Sequence, residues 1–208
     1  MASKLSEAVI RRLPIYYRHL CELQEEGVES ISSQELSHRL GFTASQIRQD
    51  ISALGGTGVQ GTGYSVAYLR SHLESLMGLD TFHTMIIIGA GNIGRALAHS
   101  SSFRSLGFET IGVFDNNPDK LGWEIGSLTV RPSSQLQTFV RENTVDIAVL
   151  TLPKEATQAI VDQLIACGVK SFWNFAPVDV RVPRGIHLVN MHLEEGLEEL
   201  SYRMKQGE

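Results

Sequence analysis

The sequence predicts an α/β protein in two parts, a small helical module followed by a doubly wound parallel sheet. Three observations predict it. Helical spacing of apolar residues gives way near residue 80 to the unbroken run Met85-Ile86-Ile87-Ile88, which a strand buried on both faces needs. From residue 84 onward, strand and helix signals alternate. The glycine pattern Gly89-Ala90-Gly91-Asn92-Ile93-Gly94 falls where the first of those strands would turn into a helix.

The first part covers residues 1–80. Leu5, Val9, Leu13, Tyr16, Tyr17, Leu20 and Leu23 recur at spacings of three and four until Gly27, which predicts one long helix or two, bent at Pro14. Ser32 stands three before Glu35, and Thr43 three before Gln46, so each pair reads as a capping box. Gly41 stands where the first of these helices should stop. Helix 33–40, a turn at Gly41-Phe42 and helix 44–54 therefore form a helix-turn-helix candidate. Five glycines between Gly55 and Gly63 then exclude a helix and suit the hairpin, or wing, of a winged-helix module. Helical spacing resumes from Val66 to Met77 and Gly78 closes it.

The second part, 81–190, reads as strand 84–89, helix 92–105, strand 108–114, helix 133–142, strand 145–151, helix 155–167 and strand 170–174, with a late strand at 186–190. The last segment, 191–208, holds an acidic amphipathic helix, 193–204, with Leu193, Leu197, Leu200 and Met204 on one stripe.

Composition removes several function classes. The 208 residues carry 18 Lys plus Arg against 23 Asp plus Glu, a formal charge of -5, which excludes nucleic-acid binding driven by bulk charge. No stretch of about 18 apolar residues is available for a membrane span, and the opening MASKLSEAVIRRLP has no apolar core of a secretory signal. A cytoplasmic address is expected. Cys21 and Cys167 lie far apart without ligand spacing, so neither a disulfide framework nor a metal site is expected, and both read as small buried apolar residues.

The glycine pattern has the context of a dinucleotide fingerprint. Gly89 permits a tight turn, Gly91 lets backbone approach a pyrophosphate and Gly94 allows close helix packing. The free N–H groups at Asn92 and Ile93, after Ala90, would meet the anion. Asp115 ends the next strand where a carboxylate would bond a ribose 2′-hydroxyl and repel a 2′-phosphate, which predicts NAD(H) over NADP(H). Thr151-Leu152-Pro153 and Asn174-Phe175-Ala176-Pro177 end later strands at the same carboxyl edge, so Thr151, Leu152, Pro153, Asn174, Ala176 and Pro177 are candidates for the nicotinamide half. Two alternatives stay open: glycines that only pack a turn, and another adenine-containing ligand such as coenzyme A. An NAD-dependent oxidoreductase is a rival from another class, but no acid, base or nucleophile can be paired near that edge, so binding without chemistry is expected.

In helix 44–54, Ser45, Gln46, Arg48, Gln49 and Ser52 face outward while Ile47, Ile51 and Leu54 face inward. Arg48 can grip a guanine edge, and Gln46 or Gln49 can read adenine. Arg11, Arg12 and Arg39 are the phosphate candidates. Residues 1–80 hold only seven Lys or Arg against nine Asp or Glu, so binding has to come from the arrangement of charge and from paired modules.

The stretches Arg12-Leu13-Pro14-Ile15-Tyr16-Tyr17-Arg18, Glu25 to Ser33, Gln46-Ile47-Arg48, Gly89 to Leu97 and Asn174 to Pro177 together resemble the redox-sensing transcriptional repressor family Rex over nearly the whole chain. The resemblance implies a homodimer with N-terminal winged-helix domains, Rossmann domains that bind NAD(H), and a C-terminal helix swapped onto the partner. It also implies operator DNA held when NAD⁺-loaded or ligand-free and released with NADH, with wing residues Gly61 and Tyr64 in the DNA-binding set. The chain departs from the family at Gln49 and Val59-Gln60, where basic residues are usual, so a weaker phosphate contribution is expected. The family's switch uses a Tyr after the first Rossmann helix and an Asp before the C-terminal helix, which alternatively pairs an N-terminal Arg. The aligned positions here are Ser100, His192 and Arg12, which makes them switch candidates and leaves a dimer with altered NADH discrimination as an alternative.

Overall fold

The computed structural model describes residues 5–56 and 63–207, and the chain divides into two compact units, Met1–Thr81 and Phe82–Glu208.

In the first unit, α1 (Glu7–Glu25) runs as one helix through Pro14 and buries Val9, Leu13, Tyr16, Leu20 and Leu23 on a single stripe. The two-residue strand β1 (Ser30–Ile31) leads into α2 (Ser33–Leu40), where Ser32 and Glu35 exchange both bonds of a capping box. Gly41, left-handed at φ 73°, ends α2. For α3 (Ala44–Ala53) the predicted box is only half made: Gln46 N–H donates to the Thr43 hydroxyl at 3.2 Å. Strand β2 (Tyr64–Ser65) pairs antiparallel with β1 and opens α4 (Val66–Leu76). Gly63 is required there, because its φ of 82° is left-handed and a Cβ would strike the backbone of Ile31. The wing tip and Gly61 lie outside the described residues. Ile47 and Ile51 from α3 and Leu54 just after it join Leu20, Leu23, Leu36, Leu69 and Leu73 in one apolar core.

The second unit is built on β3 (His83–Ile88), which continues through α5 (Asn92–His99) and α6 (Ser101–Ser105) to β4 (Phe108–Asp115). The predicted helix 92–105 is thus broken. Ser100 takes extended angles, φ −69° and ψ 109°, and its hydroxyl lies 2.8 Å from that of Ser102, the local side-chain bonding by which serines compete with a helical backbone. A hairpin that the sequence reading does not contain follows: β5 (Glu124–Ile125) and β6 (Leu128–Pro132), antiparallel to each other. The predicted helix 133–142 begins with a 3₁₀ turn and becomes α7 (Leu136–Glu142). After it come β7 (Ile147–Leu150), α8 (Lys154–Ala166), β8 (Ser171–Asn174), β9 (His187–Asn190) and α9 (Leu193–Gln206).

The sheet order is β5-β6-β4-β3-β7-β8-β9, parallel at every pairing except β5 with β6. Strand order reverses beside β3, between β4 and β7, and this is where a sheet of this kind opens a crevice at its carboxyl edge. The isoleucine run supplies both layers. Ile86 and Ile88 pack with Phe114, Leu136 and Phe139 on one face, while Met85 and Ile87 pack with Val113, Val130 and Val149 on the other. Each fully buried isoleucine contributes about 1.5–3 kcal/mol of transfer free energy, so burial on both faces holds the strand behind the crevice in place. Cys21 and Cys167 are half-buried free thiols rather than the fully buried residues expected.

Candidate nucleotide crevice and DNA-reading face

The crevice begins at Gly89, whose N–H donates to Phe114 O at 2.7 Å and whose φ of 106° suits glycine. A Cβ on Gly94 would collide with the Gly89 carbonyl and crowd the Thr151 hydroxyl, whereas a Cβ on Gly91 would meet nothing within 4 Å. Two glycines therefore close the turn and the third leaves open space in front of it. Beyond that space, α5 starts at Asn92 with no side-chain cap on its first N–H groups. Open room beside unsatisfied helix-start donors is the arrangement an anionic diphosphate needs, so the residues present fit a dinucleotide.

Asp115 is 4% exposed and fully engaged. Its Oδ2 accepts Ala90 N–H at 2.7 Å and Lys120 Nζ at 2.9 Å, and its Oδ1 accepts Asn117 N–H at 2.8 Å. Burial alone would raise its pKa, but the Asn117, Lys120 and Ala90 donors outweigh it and hold the carboxyl below the usual range. The residue predicted to face a ribose thus also ties the glycine turn to the end of β4. Lys120, which nothing in the sequence reading singles out, places a positive charge beside it.

Thr151 turns its hydroxyl inward onto Gly89 O at 2.7 Å and Ile88 O at 3.1 Å, making it a strut behind the turn. Leu152 packs on the core, and Pro153 O accepts the Thr157 hydroxyl at the start of α8. Asn174 is wholly buried. Its amide donates to Val178 O at 2.8 Å and Asn190 Oδ1 at 3.0 Å while accepting Ala176 N–H at 3.0 Å. Those bonds shape the 175–179 loop and leave Pro177 exposed at its surface. Beside this loop lies an open cavity of about 440 Å³ lined by Lys154, Asp179, His192, Glu194, Glu195 and Glu198 among others. His192 Nε2 sits 3.0 Å from Asp179 Oδ1 there, on the loop after β8. Ser100 is half-buried at the α5–α6 break.

On α3, Ser45, Arg48, Gln49 and Ser52 are exposed and Gln46 is half-exposed, while Ile47, Ile51 and, just past its end, Leu54 are buried. Arg48 Nη1 donates to Ser33 Oγ at 3.1 Å from an exposed position, which joins the start of α2 to the middle of α3. Arg11 is exposed; Arg39 pairs with Glu26 at 3.3 Å. Arg12 is spent inside the unit: its Nε and Nη2 donate to Asp50 at 2.7 and 2.8 Å, and Tyr16 adds a third bond at 2.7 Å. The free phosphate-binding arm expected of Arg12 is replaced by this internal pair. Burial pushes Asp50 up, but Arg12 and Tyr16 more than reverse that; Tyr16 is itself raised, by burial first and then by Asp50. Asp50 escaped the sequence reading because an acid among polar neighbours reads as solvated. Tyr64 is half-buried in β2 opposite Ile31.

A family profile described as "Putative DNA-binding protein N-terminus" matches residues 4–52, and one described as "CoA binding domain" matches residues 80–178. Proteins described as "Redox-sensing transcriptional repressor Rex" match nearly end to end. The one from Clostridioides difficile is 45% identical over 203 residues, 98% of this chain and 97% of its own length. The one from Thermoanaerobacter pseudethanolicus is 45% identical over 206 residues, 99% of this chain and 92% of its own. Among solved structures, "RSP in complex with beta-NAD+ and operator DNA" superposes with TM-score 0.93 at 44% identity, covering 99% of this chain and 94% of its own. "RSP in complex with beta-NADH" gives TM-score 0.90 at 42% identity, covering 99% and 96%.

Proposed function

The chain belongs to the Rex family of redox-sensing transcriptional repressors, and we propose that it reads operator DNA through α3 and answers to NADH through the turn at Gly89–Gly94. It is a regulator rather than an enzyme, as its curated relatives are. The observation that carries the reading is the space in front of Gly91 beside the uncapped start of α5, on a chain that also presents Arg48 and Gln49 outward.

NAD(H) supplies the signal, because its nicotinamide ring is cationic when oxidised and neutral when reduced. Asn92, Ile93 and Gly94 offer backbone donors to the diphosphate, and Asp115 stands at the ribose position with Lys120 beside it. The loops held by Thr151 and Asn174 frame the nicotinamide half, and Ser100 on one side and the His192–Asp179 pair on the other are the polar groups assigned to sensing ring charge. Release requires NADH to bind the DNA-incompetent arrangement more tightly than the competent one.

The working unit is a homodimer in the cytoplasm, with α9 covered by a second copy. Leu193, Leu197, Leu200 and Met204 are 57%, 70%, 55% and 79% exposed and α9 buries none of its residues in the single chain, which supports a partner for that face. Paired α3 helices then address two half-sites.

Calorimetric titration with NADH, NAD⁺ and coenzyme A in parallel, followed by operator binding with each, tests the proposal. NADH should bind and weaken operator binding more than NAD⁺ does. Binding of coenzyme A alone, or operator binding indifferent to every nucleotide, would reject it.

A further inference from the structure

The helix that presents Arg48 and Gln49 also carries one buried charge. Asp50 is 4% exposed and points inward beside Ile47 and Ile51. Three directional bonds meet on it, two from the Arg12 guanidinium and one from the Tyr16 hydroxyl, both on α1. The turn before α3 joins the same cluster: the Phe42 ring lies edge-on to Tyr16 at 6.0 Å, with the Arg12 guanidinium 5.9 Å from its centroid. One carboxylate therefore ties together the long helix, the turn and the reading helix.

We propose that Asp50 is a positioning residue for operator reading, its bonds to Arg12 and Tyr16 fixing the rotation of α3 about its own axis and so the aim of Arg48 and Gln49. Apolar contacts such as those of Ile47 hold a helix against a core but tolerate small rotations, because dispersion has no preferred direction. A bidentate guanidinium–carboxylate pair does not, because both N–H bonds must point along fixed lines. Adjacent residues on a helix stand about 100° apart, so a side chain anchored at position 50 sets where 48 and 49 face. Net stability is a poor reason for such a cluster, since apolar replacements of similar shape often match a buried ion pair, whereas fixing geometry is its best-attested use.

The inference rests on the assignment of α3 as the DNA-reading helix. Its test uses the full chain, a duplex enriched by the wild-type protein from a random-sequence library, and a scrambled duplex of equal composition. Asp50→Asn and the apolar triple variant Arg12→Met, Tyr16→Phe, Asp50→Leu are compared with wild type by fluorescence anisotropy, below the melting temperature of each. Affinity for the enriched duplex should fall by about tenfold or more, as for one misaimed base contact, while scrambled-duplex affinity stays within about twofold. Asp50→Asn should leave NADH affinity unchanged. A general loss of fold would lower binding to both duplexes alike, so the ratio between them is the deciding quantity. If either folded variant keeps the wild-type ratio, Asp50 has no part in aiming the helix. A wild-type chain that enriches no duplex would instead remove the reading assignment itself.

Discussion

Asp50 in the first unit and Asp115 in the second are each 4% exposed, and each is held below the usual carboxylate pKa range, yet they are built differently. Asp50 takes all its bonds from side chains 34 and 38 residues away, so it joins separate helices. Asp115 takes two of its three from backbone N–H groups, one of them two residues on, so it shapes a loop. The contrast teaches that the same buried charge can orient elements or mould a ligand's cradle, depending on whether its donors are side chain or main chain.

Removing each group should separate the two uses. The largest effect is expected from Asp50→Ala, which strands the Arg12 guanidinium beside a void and should cost about 3–5 kcal/mol. The two tryptophans, Trp123 and Trp173, lie in the second unit, so urea unfolding followed by far-ultraviolet circular dichroism should shift to lower urea while tryptophan fluorescence shifts less. Equal shifts in both signals would show that the two units do not unfold separately. Next comes Gly94→Ala, which forces the turn away from Gly89; NADH affinity should drop about a hundredfold, or about 2.7 kcal/mol, with nucleotide-free operator binding retained. Affinity unchanged in calorimetry would mean that the closed turn is not the diphosphate site. Asp115→Asn should be milder, about 1.5 kcal/mol in NADH binding from the loss of charge-assisted bonds, and it should leave operator discrimination alone.

Acid gives the smallest effect and acts on both carboxyls in the same direction. Their folded pKa values lie below the unfolded value of about 3.9, so their stabilisation is complete above that value and is lost as pH falls through the folded ones. Urea midpoints at pH 7, 5 and 3 should therefore stay level for this contribution down to about pH 5 and fall afterwards. Asp115→Asn should flatten that fall for the second unit alone; a midpoint rising between pH 5 and 3 would reverse the assigned sign.

The sequence made the main elements legible where local chemistry decides structure. Ser32 and Glu35 marked the start of α2, and the isoleucine run before Gly89 announced both the strand and its turn, because capping and two-sided burial leave signatures within a few residues. The β5–β6 hairpin left a weak one: Leu128-Thr129-Val130-Arg131 alternates after Gly126-Ser127, but the two residues of β5 are too few to show a partner strand. The break at Ser100 was hidden because serine is tolerated in helices and only its bond to Ser102 shows the competition. Within the candidate sites, residue types and their places along the chain were readable, but partners were not. That Arg12 meets Asp50 and Asp179 meets His192 depends on tertiary folding across 38 and 13 positions, and that Lys120 meets Asp115 depends on the turn between them, which no spacing rule encodes.

The greasy flank of α9 sets a demand on handling. A lone chain holds Leu193, Leu197, Leu200 and Met204 against water, so any condition that leaves this flank bare should raise the tendency to clump, and mild detergent should lower it.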